Sequence, residues 1–295
     1  MKGTPLINVA AHPAELAKPL IVEAIRSALL EDLGMAGDIT TQATLPKSAN
    51  AVAVMNIREH GVISGIQLAR EAFRQIGDDL VFEALVEDGD TVEPGQNIAK
   101  ISGNARHIMS GERVALNFMC HMSGISSYTQ EFVKEVSGTG AKICCTRKTT
   151  PGMRAFEKYA VKCGGGSNHR FGLDDAILIK DNHIAVAGSV ASAVHAAKAF
   201  AGHLTSVEVE VDNLDQLAEA LDAGATAVLL DNMAPKTLRE AVKLNKGVAR
   251  LEASGGVNIK SVRKIAESGV EFISTSKITM AAMPLDIGLD IQIDS

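Results

Sequence analysis

Residues 206–231 read SVEVEVDNLDQLAEALDAGATAVLLD, and the fold is decided within this stretch. Val207, Val209 and Val211 alternate with Glu208, Glu210 and Asp212, the period of a strand with two unlike faces. Leu214–Ala223 then takes helical spacing. Gly224 follows, where a helix end favours a left-handed residue. Ala227–Asp231 is a second apolar run, so the unit is strand, helix, strand, the signature of parallel pairing. Working outward, the same alternation recurs. Further strands are expected at Lys142–Arg147, Ala176–Lys180, Ala249–Ala253 and Phe272–Thr275, and further helices at Pro235–Lys243 and Ile259–Ser268, with Gly269 after the last. Six or seven such units closing on themselves predict an α/β barrel. No GxGxxG loop opens the first helix, which counts against an open doubly wound sheet.

A barrel places its reactive residues at the C-terminal ends of its strands. Arg147 and Lys148 end the first run, Lys180 the second, Asp231 another, and Ser254, Gly255 and Gly256 follow the next. In 206–212 the valines are expected to face the helices and the acids the barrel interior or mouth. Three acids on one strand face cannot be buried unpaired; they require cations, a metal or water.

The first part of the chain reads differently. Leu16–Leu30 has amphipathic helical spacing, and Asp38–Thr41 reads as a turn. Strands are expected at Ala51–Ile57, Gly61–Ser64, Val81–Leu85 and Asn97–Ser102, with helices at Gln67–Ile76 and Gly111–Glu135. The turn-rich stretch Gly89–Gln96 resembles the half-hammerhead turns of biotinyl and lipoyl domains. No Met-Lys-Met hairpin accompanies it, so its expected role is structural.

The chain has 295 residues, 46% hydrophobic and 22% charged, enough for one large domain or two ordinary ones. No apolar run is long enough to cross a bilayer. The first residues lack a sustained apolar core of the kind a signal peptide needs. Four cysteines without a CxxC pair fit a reduced, cytoplasmic protein with no zinc site. A net charge of −6 argues against general affinity for nucleic acid. That total hides a local excess: from Ala141 to His183 there are eight Lys or Arg against four acids. The ordinary reading of such a run is a solvated face; its coincidence with strand ends favours a site. Thr146-Arg147-Lys148-Thr149 joins a bidentate guanidinium and a compact ammonium to two hydroxyls. The glycines of Gly164–Gly166, ahead of Ser167-Asn168-His169-Arg170, are expected to let backbone N–H groups approach an anion. Together these residues describe a pocket for a ligand with several negative charges.

The segments TRKTTPGMR, GGGSNHRFGLDDAILIKDNH, EVEVD, LLDN and LEASGG stand in this order with GERVALNFM upstream and LDIGLDI at the close. In this arrangement the chain resembles the quinolinate phosphoribosyltransferase family from about Ile25 to Ile293. The resemblance implies an N-terminal α/β sandwich domain, 1–115, with the tail 285–295 packing back on it, and an open α/β-barrel catalytic domain, 116–284. It implies Mg²⁺-dependent transfer of phosphoribosyl from phosphoribosyl pyrophosphate to quinolinate, with decarboxylation, giving nicotinate mononucleotide, pyrophosphate and CO₂ for NAD biosynthesis. Arg147, His169 and Arg170 match positions that hold the substrate carboxylates, with Lys148 and Lys180 lining the same pocket as catalytic candidates. Glu210 and Asp231 match acids near the ribose hydroxyls and the metal. Ser254, Gly255 and Gly256, with Ser274, Thr275 and Ser276, fall where the family binds the sugar 5′-phosphate. Arg113 matches an arginine given to a neighbouring subunit's site, implying a homodimer with shared active sites or a higher oligomer. Ser276-Lys277-Ile278-Thr279 departs from the usual Gly-Ala/Ser-Leu-Thr segment, which makes Lys277 a candidate for the last phosphate contact.

Other readings stay open at this point. Lys180 among cations could serve as a Schiff-base lysine, as in barrel aldolases. A nicotinate phosphoribosyltransferase or the molybdenum-locus relative of the family would share the barrel. A non-catalytic anion binder would keep the cations, but Glu210 and Asp231 would repel its ligand. His12, His60, His107, His121, His195 and His203, the adjacent Cys144 and Cys145, and the methionines near Met280–Met283 are expected to be structural.

Overall fold

In a computed structural model the structure is described for residues 15–292. His12 and the first fourteen residues, where a leader was sought, lie outside the described residues, as do 293–295 of the tail. The chain divides into two compact units. One runs through Ser127 and adds Lys162–Gly164 and the segment from Met283; the other is Tyr128–Val161 with Gly165–Ala282.

The first unit carries helices α1 (Lys18–Leu33), α2 (Ile39–Thr44) and α3 (Ile66–Ile76), with strands β1 (Asn50–Ile57), β2 (Gly61–Val62), β3 (Val81–Ala84), β4 (Thr91–Val92) and β5 (Asn97–Asn104). Helix α4 (Ala105–Glu135) follows and runs unbroken across the 115/116 boundary expected from the sequence. A four-stranded antiparallel sheet has the order β12-β1-β5-β3, where β12 is Ile287–Gln292 from the far end of the chain. Along β1, Ala51, Ala53, Met55 and Ile57 are buried and alternate with more exposed neighbours, as a half-buried strand requires. Helix α1 lies against α3 and α3 against β3, so Ile21, Ile25, Leu29, Leu68 and Phe73 are taken out of water. Asp38–Thr41, read as a turn, instead starts α2. Asp38 caps it, its Oδ1 accepting the Thr41 N–H at 2.9 Å and Oδ2 the Ser110 hydroxyl at 3.2 Å. An acid three residues before an available N–H can open a helix as readily as a turn.

The second unit contains β6 (Lys142–Cys144), α5 (Arg154–Cys163), β7 (Ile177–Ile179), α6 (Asp181–Ala187), α7 (Val190–Phe200), β8 (Val207–Val211), α8 (Leu214–Asp222), β9 (Ala227–Asp231), α9 (Pro235–Asn245), β10 (Arg250–Ser254), α10 (Val262–Ala266), β11 (Phe272–Ser274) and α11 (Lys277–Met280). All six strands are parallel, in the order β6-β11-β10-β9-β8-β7. The order is cyclic with one rung missing, between β6 and β7. Residues following both edge strands line a single cavity, so the sheet curls into the open α/β barrel expected from the sequence.

The missing rung is partly filled by the segment leading to β7. Ser167 donates to Ile143 O at 2.7 Å, and Cys145 N donates back to Ser167 O at 3.1 Å. This corrects the expectation for the glycine loop. The Gly166 N–H is spent on Val161 O at 2.9 Å, and a Cβ there would meet Thr129 and Val161 at 2.8 Å. Gly166 thus serves a close packing seam, and Gly164–Gly166 are not among the residues lining the cavity.

Asp38→Ala removes the α2 cap and should cost about 1 kcal/mol of stability at pH 7, measurable by thermal or urea unfolding. The hydrogen bonds from Thr41 hold the Asp38 carboxyl below its ordinary value. Its contribution is therefore present above the unfolded carboxyl pKa, about 3.9, and fades as pH falls through the lowered folded value. Parent and variant should converge in acid.

Candidate active site

At the C-terminal ends of the strands the barrel opens into a cavity of about 750 Å³. Arg147, Lys148, Arg170, Lys180 and Lys277 contribute cations to its wall, and Glu210, Asp231 and Glu252 contribute acids. Every site residue expected from the sequence lines it except Arg113. Arg113 lies on α4 in the first unit, exposed and 3.9 Å from Glu112.

Arg147 follows β6, and Arg170 follows the segment that fills the seam. Arg170 spends one Nη on Ala176 O at 3.0 Å. The Nε of Arg147 and the Nε of Arg170 are both buried, and neither has an acceptor among the described residues. Burial and then the charge of Arg147 pull the Arg170 guanidinium below its usual pKa. Two like charges with unsatisfied donors are costly unless an anion enters between them. The backbone that presents Arg170 is fixed by Lys158 of α5, which sequence reading counted only within the basic run. Lys158 is fully buried, its Nζ 2.8 Å from His169 O and 3.1 Å from Cys145 Sγ, and 5.1 Å from the Phe171 ring centre. Its partner carbonyl lies eleven residues later, so no local spacing announces the contact. Cys144 and Cys145 are buried, and burial pushes the Cys144 thiol up, away from a nucleophilic thiolate.

His169 reaches from the cavity wall down into the barrel interior. Its Nε2 is 2.8 Å from Glu208 and 3.8 Å from Glu252. Its Nδ1 accepts the Arg170 N–H at 2.8 Å, which places the ring proton on Nε2. Burial lowers the His169 pKa, but the Glu208 hydrogen bond and the charges of Glu252 and Glu208 more than offset it. The Arg170 N–H leaves no place for a second ring proton. The extra proton of the cluster therefore belongs on Glu252, which burial and then the charge of Glu208 push up to about 7. The three ligand-type atoms lie within 4.8 Å of one another, a spacing a divalent ion can use. The Nε2 proton pointing at Glu208 makes them a proton-sharing set instead. Glu252 was not singled out from the sequence, although it stands two residues before Ser254 on the same strand face.

Glu208 and Glu210 obtain the partners expected for acids on the inner face of β8: His169 for the first and Lys180, which donates to Glu210, for the second. That ion pair opposes a Schiff-base role for Lys180, since its amine is committed to Glu210. Asp231 ends β9, beside β8 in the sheet, and accepts from the Asn232 amide at 2.6 Å. Two carboxylates on adjacent strand ends suit a hard ion such as Mg²⁺, which completes its shell with water and substrate oxygens.

The opposite wall comes from β10 and β11. Asn232 adopts φ +53 and donates its N–H to Ser254 O at 2.9 Å. Gly255 has φ +92, and a Cβ there would stand 2.1 Å from Asn232 Oδ1, so this position admits only glycine. Ser274 and Thr275 are buried at the end of β11, and Ser276 and Lys277 begin α11. Thr279 Oγ1 donates to Lys148 O at 2.8 Å, which ties the departing Ser276–Thr279 segment to the TRKT segment.

The description "Quinolinate phosphoribosyl transferase, C-terminal domain" matches residues 125–290, and "Quinolinate phosphoribosyl transferase, N-terminal domain" matches 38–123. The chain is 43% identical to the carboxylating nicotinate-nucleotide pyrophosphorylase of Mycobacterium leprae, covering 91% of this chain and 96% of that one. It is 40% identical to a probable carboxylating nicotinate-nucleotide pyrophosphorylase of Bacillus subtilis, covering 90% and 91%. The solved nicotinate-nucleotide pyrophosphorylase of Francisella tularensis superposes with a TM-score of 0.91 at 38% identity, covering 94% of this chain and 98% of that one. With matches across both units and at this identity, the chain belongs to the quinolinate phosphoribosyltransferase family.

Proposed function

We propose that this protein transfers phosphoribosyl from phosphoribosyl pyrophosphate to quinolinate and releases pyrophosphate, CO₂ and nicotinate mononucleotide. The observation that carries the reading is the pair Arg147 and Arg170, side by side, each with a buried Nε that has no acceptor among the described residues. A pyridine with adjacent carboxylates brings two anionic groups to two guanidiniums; a monocarboxylate would leave one donor buried and unpaired. Leu178 and Leu229 give the aromatic ring an apolar wall nearby.

The phosphoribosyl donor takes the rest of the cavity. Ser254, Gly255, Gly256 and Ser276 offer backbone N–H groups and hydroxyls to the 5′-phosphate, Ser274 and Thr275 shape the wall beneath them, and Lys277 adds a charge at the same end. Glu210 and Asp231 face the ribose and would hold Mg²⁺ together with water and substrate oxygens. Held by these two acids, the ion would supply positive charge against the departing pyrophosphate. Lys148 is placed to meet the same charge. Lys180 holds Glu210 oriented toward the ribose, where positive charge develops at the anomeric carbon. Arg113, by its match to the family, completes the pyridine pocket of a second subunit, so the active form is a homodimer.

With quinolinate, phosphoribosyl pyrophosphate and Mg²⁺ the protein should produce nicotinate mononucleotide and pyrophosphate; faster reaction with nicotinate would overturn the substrate assignment. Arg147→Ala should lower kcat/KM for quinolinate about 100-fold, the loss of a buried charge-assisted pair worth ~3 kcal/mol, with an unchanged melting profile. Gly255→Ala should raise KM for phosphoribosyl pyrophosphate more than for quinolinate, because the new Cβ displaces Asn232. Mixing Arg113→Ala with Lys180→Ala subunits should restore activity to verified mixed dimers; no recovery there would exclude a shared site.

A further inference from the structure

Decarboxylation of a pyridine nucleotide ends with a carbon that needs a proton, and the pocket contains a group suited to supply it. When the bond from C2 to its carboxylate breaks, the electron pair stays on C2 in the ring plane, pointing where the carboxylate was. On the reading above that direction leads toward Arg147, Arg170 and His169. Guanidiniums do not give up protons in proteins. The His169 Nε2 proton is directed at Glu208, and Nδ1 is an acceptor for the Arg170 N–H. On the ribose side, Lys180 is committed to Glu210. Glu252 lines the same cavity as the two arginines, is buried, and its Oε1 has no hydrogen-bond partner among the described residues.

We infer that Glu252 delivers the proton to C2 as CO₂ leaves, trapping the ring carbon before CO₂ can add back. The inference rests on the quinolinate reading. In this step the C2–carboxylate bond breaks, CO₂ departs, and the electron pair left on C2 takes the Glu252 proton to form the C2–H bond. Glu252 becomes a carboxylate and recovers one proton from solvent, so one proton is consumed for each CO₂ released. A second cavity, of about 250 Å³, provides the return path. It opens among the N-terminal ends of the strands, at Ser206, Thr226 and Arg250, and shares His169, Arg170 and Glu252 with the upper one. The polar cluster therefore separates two water-accessible spaces.

The surroundings favour an acid that is protonated before the reaction and tolerated as an anion after it. Glu208 from β8 carries the nearest negative charge and raises the Glu252 pKa after burial has done so. His169 from the seam segment lies 3.8 Å away, and the Ser274 hydroxyl from β11 opposes the rise and steadies the anion. Arg147 and Arg170 stand around the same cavity. Lys158 from α5 acts on His169 from behind, and the Cys144 thiol of β6 stays neutral.

Single-turnover reactions of the intact protein, quenched and assayed separately for pyrophosphate and CO₂, test the assignment. In the parent, CO₂ release should slow as pH rises through about 7, the acid form being lost, while pyrophosphate formation does not follow the same curve. In Glu252→Gln, pyrophosphate should form at close to the parental rate, with CO₂ at least 10-fold slower and the undecarboxylated nucleotide accumulating. KM for quinolinate should stay within about twofold. Glu252→Gln with CO₂ and pyrophosphate appearing together at parental rates would overturn the role, as would a CO₂ step in the parent that is flat from pH 6 to 8.5. The parental pH profile decides the matter if the variant does not fold. A parent that forms no pyrophosphate from quinolinate would instead refute the substrate assignment.

Discussion

A parallel barrel whose first and second strands are not paired must be closed by something other than a strand, and here Gly165–Arg170 closes it. Ser167 exchanges backbone hydrogen bonds with the end of β6. That single bridge sets the path of the next three residues. His169 then turns into the barrel and Arg170 toward its mouth, with Lys158 gripping the carbonyl between them. The position of the cationic pair follows from this closure, because Arg147 leaves β6 on one side of the seam and Arg170 arrives on the other.

The same closure explains why the barrel centre is polar. Barrels of this class usually fill their interiors with branched apolar side chains; this one places His169, Glu208 and Glu252 there. Burying two acids and an imidazole is tolerable when the charges are shared out. One carboxylate accepts a hydrogen bond from the imidazole, while burial and the charge of the first favour the neutral form of the other. Val209, Leu251 and Ile273, of the opposite parity on the same sheet, are buried on its other face. The site above therefore stands on a floor that is itself chemically active.

Much of this was legible in the sequence because it is periodic. The alternation in 206–212 forecast both β8 and the inward direction of its acids, and the strand-end rule located Arg147, Lys180, Asp231 and Ser254 before any geometry was known. What escaped was set by distant partners. Lys158 counted as one more surface cation until its ammonium met a carbonyl across the seam. Glu252 had the right parity to face inward, but nothing near it in the chain announces the burial and the acid on β8 that raise its pKa. The glycines of 164–166 have the composition of an anion loop, but packing against Thr129 and Val161 uses Gly166 for a different purpose. Asp38 opened a helix rather than a turn because the Thr41 N–H was within its reach.

The sheet of the first unit has a consequence for how the chain is made. Strand β1 is complete by Ile57, yet one of its two neighbours, β12, begins only at Ile287. While the polypeptide is being synthesised, that flank of β1 remains an open edge of unpaired N–H and C=O groups for the whole time the barrel is emerging. Every barrel strand precedes residue 287 in the chain, whereas the first unit needs it to complete its sheet. The unit whose strands come earlier is thus the one completed last, and it is the part most in need of protection from unwanted strand pairing in the nascent state.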